Sequence, residues 1–334
     1  MRSAAGEHRC LVVGCGSIGT RHLANLHSLA AGPIAICDVE PNRLAACREM
    51  ASAAFDDFQR ALAELEPELV LVCTPPTTHL PVVRKALEAD CHVFVEKPIS
   101  HDLEGVEEII ELAKRRRRVV QVGYNLRFHP GIRKLRSLLG AGEIGGALWA
   151  YAEFGQYLPD WRPAEDYRQS YTATRKEGGG ILLDASHEID YVTWLLGPPR
   201  ELVCFADRIG GLDIDVEDSA TLLLRFPEGV RADIHLDMLQ RSYSRSCKIV
   251  GTEGTLAWDY SAATVTLTRS DSEPRVYESS SDPAEMYRLE LEHFLASIAA
   301  DAPQSPSLDD AKSVLEIVIA AKESAGSGRV VHLG

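Results

Sequence analysis

No stretch of the 334 residues approaches the roughly 18 consecutive apolar residues of a membrane span, and the N-terminus has no hydrophobic signal region. The expectation is a soluble, cytoplasmic protein with no membrane partner. A basic excess is missing too. Lys and Arg number 35 against 49 Asp and Glu, and the net charge of -14 argues against nucleic acid as a partner. The one basic run, residues 114–118, falls at the end of a predicted helix, where cations complement the helix dipole, so it reads as a solvated helix end. The 8 cysteines form no C-x-x-C pair. Cys10, Cys37, Cys73 and Cys91 fall in or beside predicted buried strands, where a small apolar side chain fits, so reduced thiols are expected and neither a disulfide nor a metal framework. Internal repeats and long low-complexity segments are also absent, and the length suffices for two domains with full cores.

What is present is rhythm. Through residue 123, apolar strand-like runs near 10–13, 34–38, 69–73, 92–95 and 119–122 alternate with helical stretches near 17–30, 41–51, 57–65, 80–89 and 103–117. Pro41 and Pro81 suit first-turn helix positions. Such alternation predicts a parallel sheet covered on both faces. After residue 124 the pattern changes. A helix is expected near 130–139, then a Trp/Tyr/Gly-rich region, a helix near 185–196, and short turn-bounded runs at 201–209, 218–226, 230–239, 244–250, 255–258 and 264–268. Two amphipathic helices near 283–300 and 309–325 close the chain. The predicted fold class is α/β. A doubly wound Rossmann sheet spans residues 1–124, and an α+β domain with a mostly antiparallel sheet spans 125–334.

Gly14, Gly16 and Gly19 in CLVVGCGSIGTRH sit where the first strand turns into the first helix. The first glycine permits the tight turn, the second lets backbone approach a pyrophosphate, and the third allows close packing. Ser17 and Ile18 open the helix, whose first amides are unpaired donors for an anion. The next strand ends in Asp38, where a carboxylate accepts hydrogen bonds from ribose hydroxyls and repels a 2′-phosphate. NAD is therefore favoured over NADP, although Arg43, one helical turn further, offers an alternative partner for a phosphate. Ligands of such sheets collect beyond the carboxyl ends of the strands, which is where CTPPTTH and EKP fall. Thr74, Pro75, His79, Glu96 and Lys97 are accordingly expected around the cofactor.

A second group of candidates lies in GGGILLDASHEID, residues 178–190. On one continuous helix start, Asp184 and His187 would share a face. A histidine held near a carboxylate takes a proton at neutral pH, as alcohol oxidation requires. The structural alternative has Asp184 capping the helix and His187 packed and hydrogen-bonded.

Nearly the whole chain resembles the glucose-fructose oxidoreductase / inositol dehydrogenase / MocA (Gfo/Idh/MocA) family. The likeness is carried by GCGSIGTRH, the acid in AICDVEPNR, VCTPPTTHLPVVRKALEADCHVFVEKP, VGYNLRFHP, GGGILLDASHEID and the terminal VVHL. It implies a Rossmann domain followed by an open-faced antiparallel sheet that makes a homodimer or homotetramer. It also implies NAD(P)-dependent redox chemistry on a sugar, an inositol or a nucleotide sugar. By the same resemblance, Lys97 contacts substrate hydroxyl and nicotinamide, with the Lys97-Pro98 bond cis. His187 is the acid/base, Asp184 positions it or the substrate, and Arg127, Trp161 and Arg162 line the site. The chain departs from many relatives in spacing its aspartate and histidine by three residues instead of four, so Asp190 is an alternative orienting carboxylate. SHEIDY together with PDWRPAEDYRQSY resembles members associated with sialic-acid-like sugars. Two further readings are a dinucleotide-binding regulator without catalysis, which would need neither Lys97 nor His187, and a family glycosidase that oxidises its sugar transiently.

Overall fold

Leucine and β-branched residues in runs of four, each followed by a helix with one apolar face, build the first sheet of this computed structural model, which describes residues 8–280, 282–300 and 305–334. In chain order the elements are β1 (Cys10–Val13), α1 (Ser17–Ser28), β2 (Ile34–Cys37), α2 (Pro41–Cys47), β3 (Ala53–Phe55), α3 (Phe58–Leu65), β4 (Leu69–Val72), α4 (His79–Glu88), β5 (His92–Val95), α5 (Val106–Arg116) and β6 (Val120–Val122). All pairings are parallel, in the order β3-β2-β1-β4-β5-β6. Every residue of β1, β2 and β4 is buried, as a sheet covered on both faces requires. The strand order reverses about β1, so the turns leaving β1, β4 and β5 lie side by side at one edge. The sequence reading missed β3, because Ala-Ala-Phe carries almost no strand signal; its pairing with β2 makes it a strand. The basic run behaves as expected. Lys114, Arg115 and Arg116 close α5, whose first turn holds Glu107 and Glu108, and Arg116 pairs with Asp90 at 3.3 Å. All eight cysteines are free and buried.

The second unit contains α6 (Pro130–Gly140), β7 (Ala147–Gly155), a short helix α7 (Ile181–Asp184) and α8 (Ser186–Leu196). Then come β8 (Glu201–Asp207), β9 (Ser219–Arg225), β10 (Arg231–Asp237), β11 (Ser244–Gly251), β12 (Gly254–Asp259), β13 (Thr264–Arg269), β14 (Ser272–Glu278), α9 (Pro283–Ala300), α10 (Leu308–Ser327) and β15 (Val331–His332). The nine-stranded sheet runs β14-β13-β12-β11-β7-β10-β9-β8-β15, antiparallel throughout except where β7 lies parallel to β10. Strand β9 shows the two faces plainly, Ala220, Leu222 and Leu224 being buried while Thr221, Leu223 and Arg225 are exposed. The Trp/Tyr-rich stretch thus hides a central strand, β7. Its alternation of Ala150, Ala152 and Phe154 inward with Trp149, Tyr151 and Glu153 on the other face is masked in the sequence by aromatics on both sides.

Helix α6 has an unusual cap. His129 Nδ1 accepts the Gly131 amide at 3.1 Å, and Nε2 donates to Ser280 O at 2.9 Å. The ring is 1% exposed. Burial pushes its pKa down to about 4, and nearby Arg245 pushes the same way. A depressed folded-state pKa means that the unfolded chain binds the proton more tightly. The contribution of this site is therefore complete above the unfolded pKa near 6.5 and is lost as pH falls toward 4, by an amount on the order of 3 kcal/mol. Urea denaturation of His129→Asn, which keeps a capping acceptor, is expected to show a flatter loss of stability between those pH values than the parent protein. Parallel curves would disprove the assignment.

The two compact units differ from the two continuous domains expected. One comprises residues through Tyr124 together with Tyr287–Lys312, the other Asn125–Met286 with Ser313–Gly334. The reason lies in α9, whose Leu291, Phe294 and Leu295 join the core cluster built from Leu23, Leu26, Ile36, Leu71 and Phe94 of the Rossmann unit. Residues 301–304, for which the composition DAPQSPS over 301–307 predicts a loop, lie outside the described residues.

Candidate active-site residues

In the first unit the glycine turn holds its shape for three separate reasons. Gly14 has φ +94°, and a side chain there would place Cβ 2.6 Å from the Cys73 carbonyl oxygen. A Cβ on Gly19 would lie 1.8 Å from the Gly14 oxygen, so the helix packs onto the turn only without it. Around Gly16 nothing lies within 4 Å, and this open side is where a pyrophosphate would approach. The first helical hydrogen bond is Thr20 N–H to Gly16 O, which leaves the amides of Ser17, Ile18 and Gly19 without an acceptor inside the helix. Asp38, 6% exposed, accepts from Cys15 N at 2.7 Å and Glu40 N at 2.8 Å. The carboxylate is thereby anchored to the glycine turn, with lone pairs left for a ribose. The residues present therefore fit a dinucleotide.

The neighbouring turns are more internally committed than the sequence suggests. Thr74 is half-buried and takes a hydrogen bond on its hydroxyl from Thr78 at 2.7 Å. His79, expected beside the cofactor, is 1% exposed, with one ring nitrogen 2.7 Å from Thr74 O and the other 2.8 Å from Pro98 O. It ties the turn after β4 to the turn after β5. Burial lowers its pKa, while the two carbonyls work against that shift. Glu96 is likewise turned inward, 8% exposed and 2.7 Å from His22 Nε2. Its second oxygen accepts the Lys97 amide at 3.2 Å, Lys97 itself is half-buried, and the Lys97-Pro98 peptide is cis.

In the second unit Asp184 and His187 do not share one helix. Asp184 ends α7, the chain breaks at Ala185 (φ -96°, ψ 26°), and His187 lies in the first turn of α8. Rotation per residue along a single helix therefore does not relate them, and Asp184 is not a cap. Its oxygens instead accept from Tyr171 Oη at 3.0 Å and Thr172 Oγ1 at 2.5 Å. The glycine run makes this possible. A Cβ on Gly179 would lie 2.4 Å from the carbonyl oxygens of both Tyr171 and Thr172, so the segment bearing the two hydroxyls packs directly against the start of α7. His187 is 8% exposed.

Two of the sequence candidates are partners of each other. Arg127, expected to line a substrate site, is 4% exposed and grips Asp190 through Nε at 3.0 Å and NH2 at 2.6 Å. Asp190, 0% exposed, is thereby bound to a guanidinium. Arg127→Met should lower unfolding free energy by about 3–5 kcal/mol, because Asp190 stays buried without that cation. Denaturant titration checks this, and a loss under about 1 kcal/mol would show the pair to be dispensable. Trp161 donates Nε1–H to Gln156 O at 3.0 Å and meets Phe154 edge-on, while Arg162 is partly exposed, 3.9 Å from Glu165. Both line a small pocket with Leu158, Glu165, Tyr167 and Ser170. Tyr171 and Thr172 went unnoticed in the sequence, since a tyrosine and a threonine in a polar stretch carry no local signal of what they hold.

Residues 8–124 match the family model described as oxidoreductase family, NAD-binding Rossmann fold, and residues 132–257 match the GFO/IDH/MocA C-terminal domain. Over 340 residues the chain is 29% identical to myo-inositol 2-dehydrogenase of Thermotoga maritima, covering 96% of this chain and 97% of that protein. It is 28% identical to scyllo-inositol 2-dehydrogenase (NAD(+)) of Bacillus subtilis, over 98% and 97% of the two chains. Among solved structures, levoglucosan dehydrogenase in complex with NADH and L-sorbose superposes with a TM-score of 0.88 at 20% identity, covering 98% of both chains. No helix among the described residues is long and apolar enough to cross a membrane.

Proposed function

Starting from the fact that the chain belongs to the Gfo/Idh/MocA family of NAD-dependent oxidoreductases, we propose that it interconverts a secondary alcohol and a ketone on a cyclic polyol, an inositol or a monosaccharide. NAD, when bound, supplies a two-electron acceptor that takes hydride at nicotinamide C4 from the carbinol carbon. Everything else falls to the chain's own side chains. Lys97, in the turn after β5, donates to the substrate oxygen and stabilises negative charge as it develops there. His187 takes the hydroxyl proton, so that hydride and proton together leave a carbonyl. Asp184, held by Tyr171 and Thr172, orients His187 or a neighbouring substrate hydroxyl. Asp38, fastened to the glycine turn, selects NAD over NADP. Trp161 and Arg162 are assigned to the substrate side.

The observation that carries this reading is the presence of Lys97, Asp184 and His187 in a chain similar over nearly its whole length to two inositol 2-dehydrogenases. A regulator without catalysis has use for none of the three. On the outer face of the nine-stranded sheet, Phe205 is 71% and Leu223 49% exposed, and we assign this face to a second copy of the chain.

The test mixes NAD-loaded protein with inositols, monosaccharides and nucleotide sugars, and follows reduced-nicotinamide fluorescence within one turnover. A burst with an inositol or a monosaccharide supports the proposal. Tight NAD binding with no burst across the panel would overturn it, and a burst confined to nucleotide sugars would move the substrate class. The single-turnover format also reveals a cycle in which the cofactor is regenerated internally.

A further inference from the structure

Behind the Lys97 turn lies a cluster of charge-bearing groups that the proposed chemistry does not use. His22 of α1 is 0% exposed, and its ring meets Phe94 and Tyr287 edge-on at 5.0 Å and 5.9 Å. Its Nε2 donates to Glu96 at 2.7 Å. Glu290 of α9 comes from a helix that the sequence marks only as amphipathic, and it is also 0% exposed. Neither of its carboxyl oxygens has a hydrogen-bond partner among the described residues. One ligand-type atom from each of His22, Glu96 and Glu290 falls within 4.8 Å of the others. Gly123 leaves the room for this, since a Cβ there would sit 3.1 Å from Glu96 Oε2.

Two carboxylates this close, walled by Phe94, Phe294 and Tyr287, cannot both ionise at ordinary cost, because the repulsion is poorly screened where water is excluded. Some cation has to balance them. A metal ion is a poor fit, since His22 and Glu96 already hold each other at 2.7 Å with a proton between them, and chelation would have to break that bond. The remaining choice is a second proton. The other groups facing the cluster do not supply charge compensation. Cys73 from the end of β4 is a thiol pushed further toward its neutral form by burial and by both carboxylates. Gln121 of β6 is neutral, donating to the Glu290 backbone oxygen at 2.9 Å and bonding His293 at 2.9 Å. His79, at the start of α4, is pushed toward its neutral form by burial, and its ring nitrogens face the Thr74 and Pro98 carbonyls instead of the carboxylates.

We propose that Glu290 is kept as a neutral carboxylic acid beside the Glu96 carboxylate, and that this buried acid, with His22, is the positioning device for the Lys97 turn. Burial and the Glu96 charge both raise the Glu290 pKa, in agreement with that state. Glu96, held by His22 on Oε1, then faces a neutral neighbour instead of a second buried charge, while Oε2 fixes the Lys97 amide at 3.2 Å. The part assigned to Lys97 rests on the function proposed above; the protonation of Glu290 does not.

Infrared spectroscopy of the full-length protein at pH 8 reads the protonation directly. A carboxylic-acid carbonyl band that shifts in D2O is expected in the parent protein and is expected to vanish in Glu290→Gln. Glu290→Gln keeps a neutral donor at the same place, so it should retain kcat/KM and NAD affinity within about threefold. Glu290→Ala should lower kcat by about tenfold or more with NAD affinity within about threefold, a split that general loss of fold would not produce. No acid band in the parent, a band that survives Glu290→Gln, or a stoichiometric divalent ion found by elemental analysis would each overturn the proposal. If Lys97→Met left turnover unchanged while the band behaved as expected, the function assigned to Lys97 would fail and the buried acid would stand.

Discussion

His187→Asn is expected to lower turnover by about 10²–10⁴-fold and to leave NAD affinity nearly unchanged. Asparagine occupies similar space and still forms hydrogen bonds, but it cannot accept and hold a proton near neutral pH. The position is suited to this comparison. His187 sits at the start of α8, where the chain has just broken away from α7, and the cofactor turns belong to the other unit. The substitution thus separates proton transfer from nucleotide binding. The measurement is single-turnover hydride transfer beside a fluorescence titration with NAD. Turnover within threefold of the parent would remove His187 from the acid/base role and return it to the packed, hydrogen-bonded alternative.

Lys97→Met should cost about 10²–10³-fold in kcat, the range seen when one donor to a developing oxyanion is removed. Methionine keeps most of the length and apolar stem of lysine and removes only the charge, so packing in the turn is preserved. Because the lost interaction strengthens as charge develops on oxygen, kcat and kcat/KM should fall together. A rise in KM with kcat unchanged would mean that Lys97 only binds substrate. The parallel variant Lys97→Arg keeps the charge but spreads it over a wider fork, and is expected to recover part of the loss.

The positions of strands and helices were legible in the sequence wherever the signal was local. β1, β2, β4 and β5 are continuous apolar runs, α5 carries its acids first and its bases last, and the glycine turn announces itself by position between strand and helix. These are effects of neighbours within one or two turns of chain, so a linear reading captures them. The class of fold, the cofactor and the candidate lysine and histidine all followed from such short-range patterns and from the family likeness they carry.

Partnerships across long sequence separations were another matter. Arg127 and Asp190, 63 residues apart, are bound to each other by a contact that nothing in either local sequence announces. Asp184 looked like half of a helical pair, and the break at Ala185 together with the hydroxyls of Tyr171 and Thr172 gave it different company. Helix α9 reads as part of the second domain, yet Gln121 reaches its backbone across 169 residues, and Phe294 completes the Rossmann core. By itself the sequence determined the strands and helices whose signal is local and where a nucleotide can bind, because hydrophobic period, glycine and helix-end charge act over a few residues. Only the tertiary structure decided which buried charges neutralise one another, since burial makes that pairing compulsory while chain order says nothing about who the partner is.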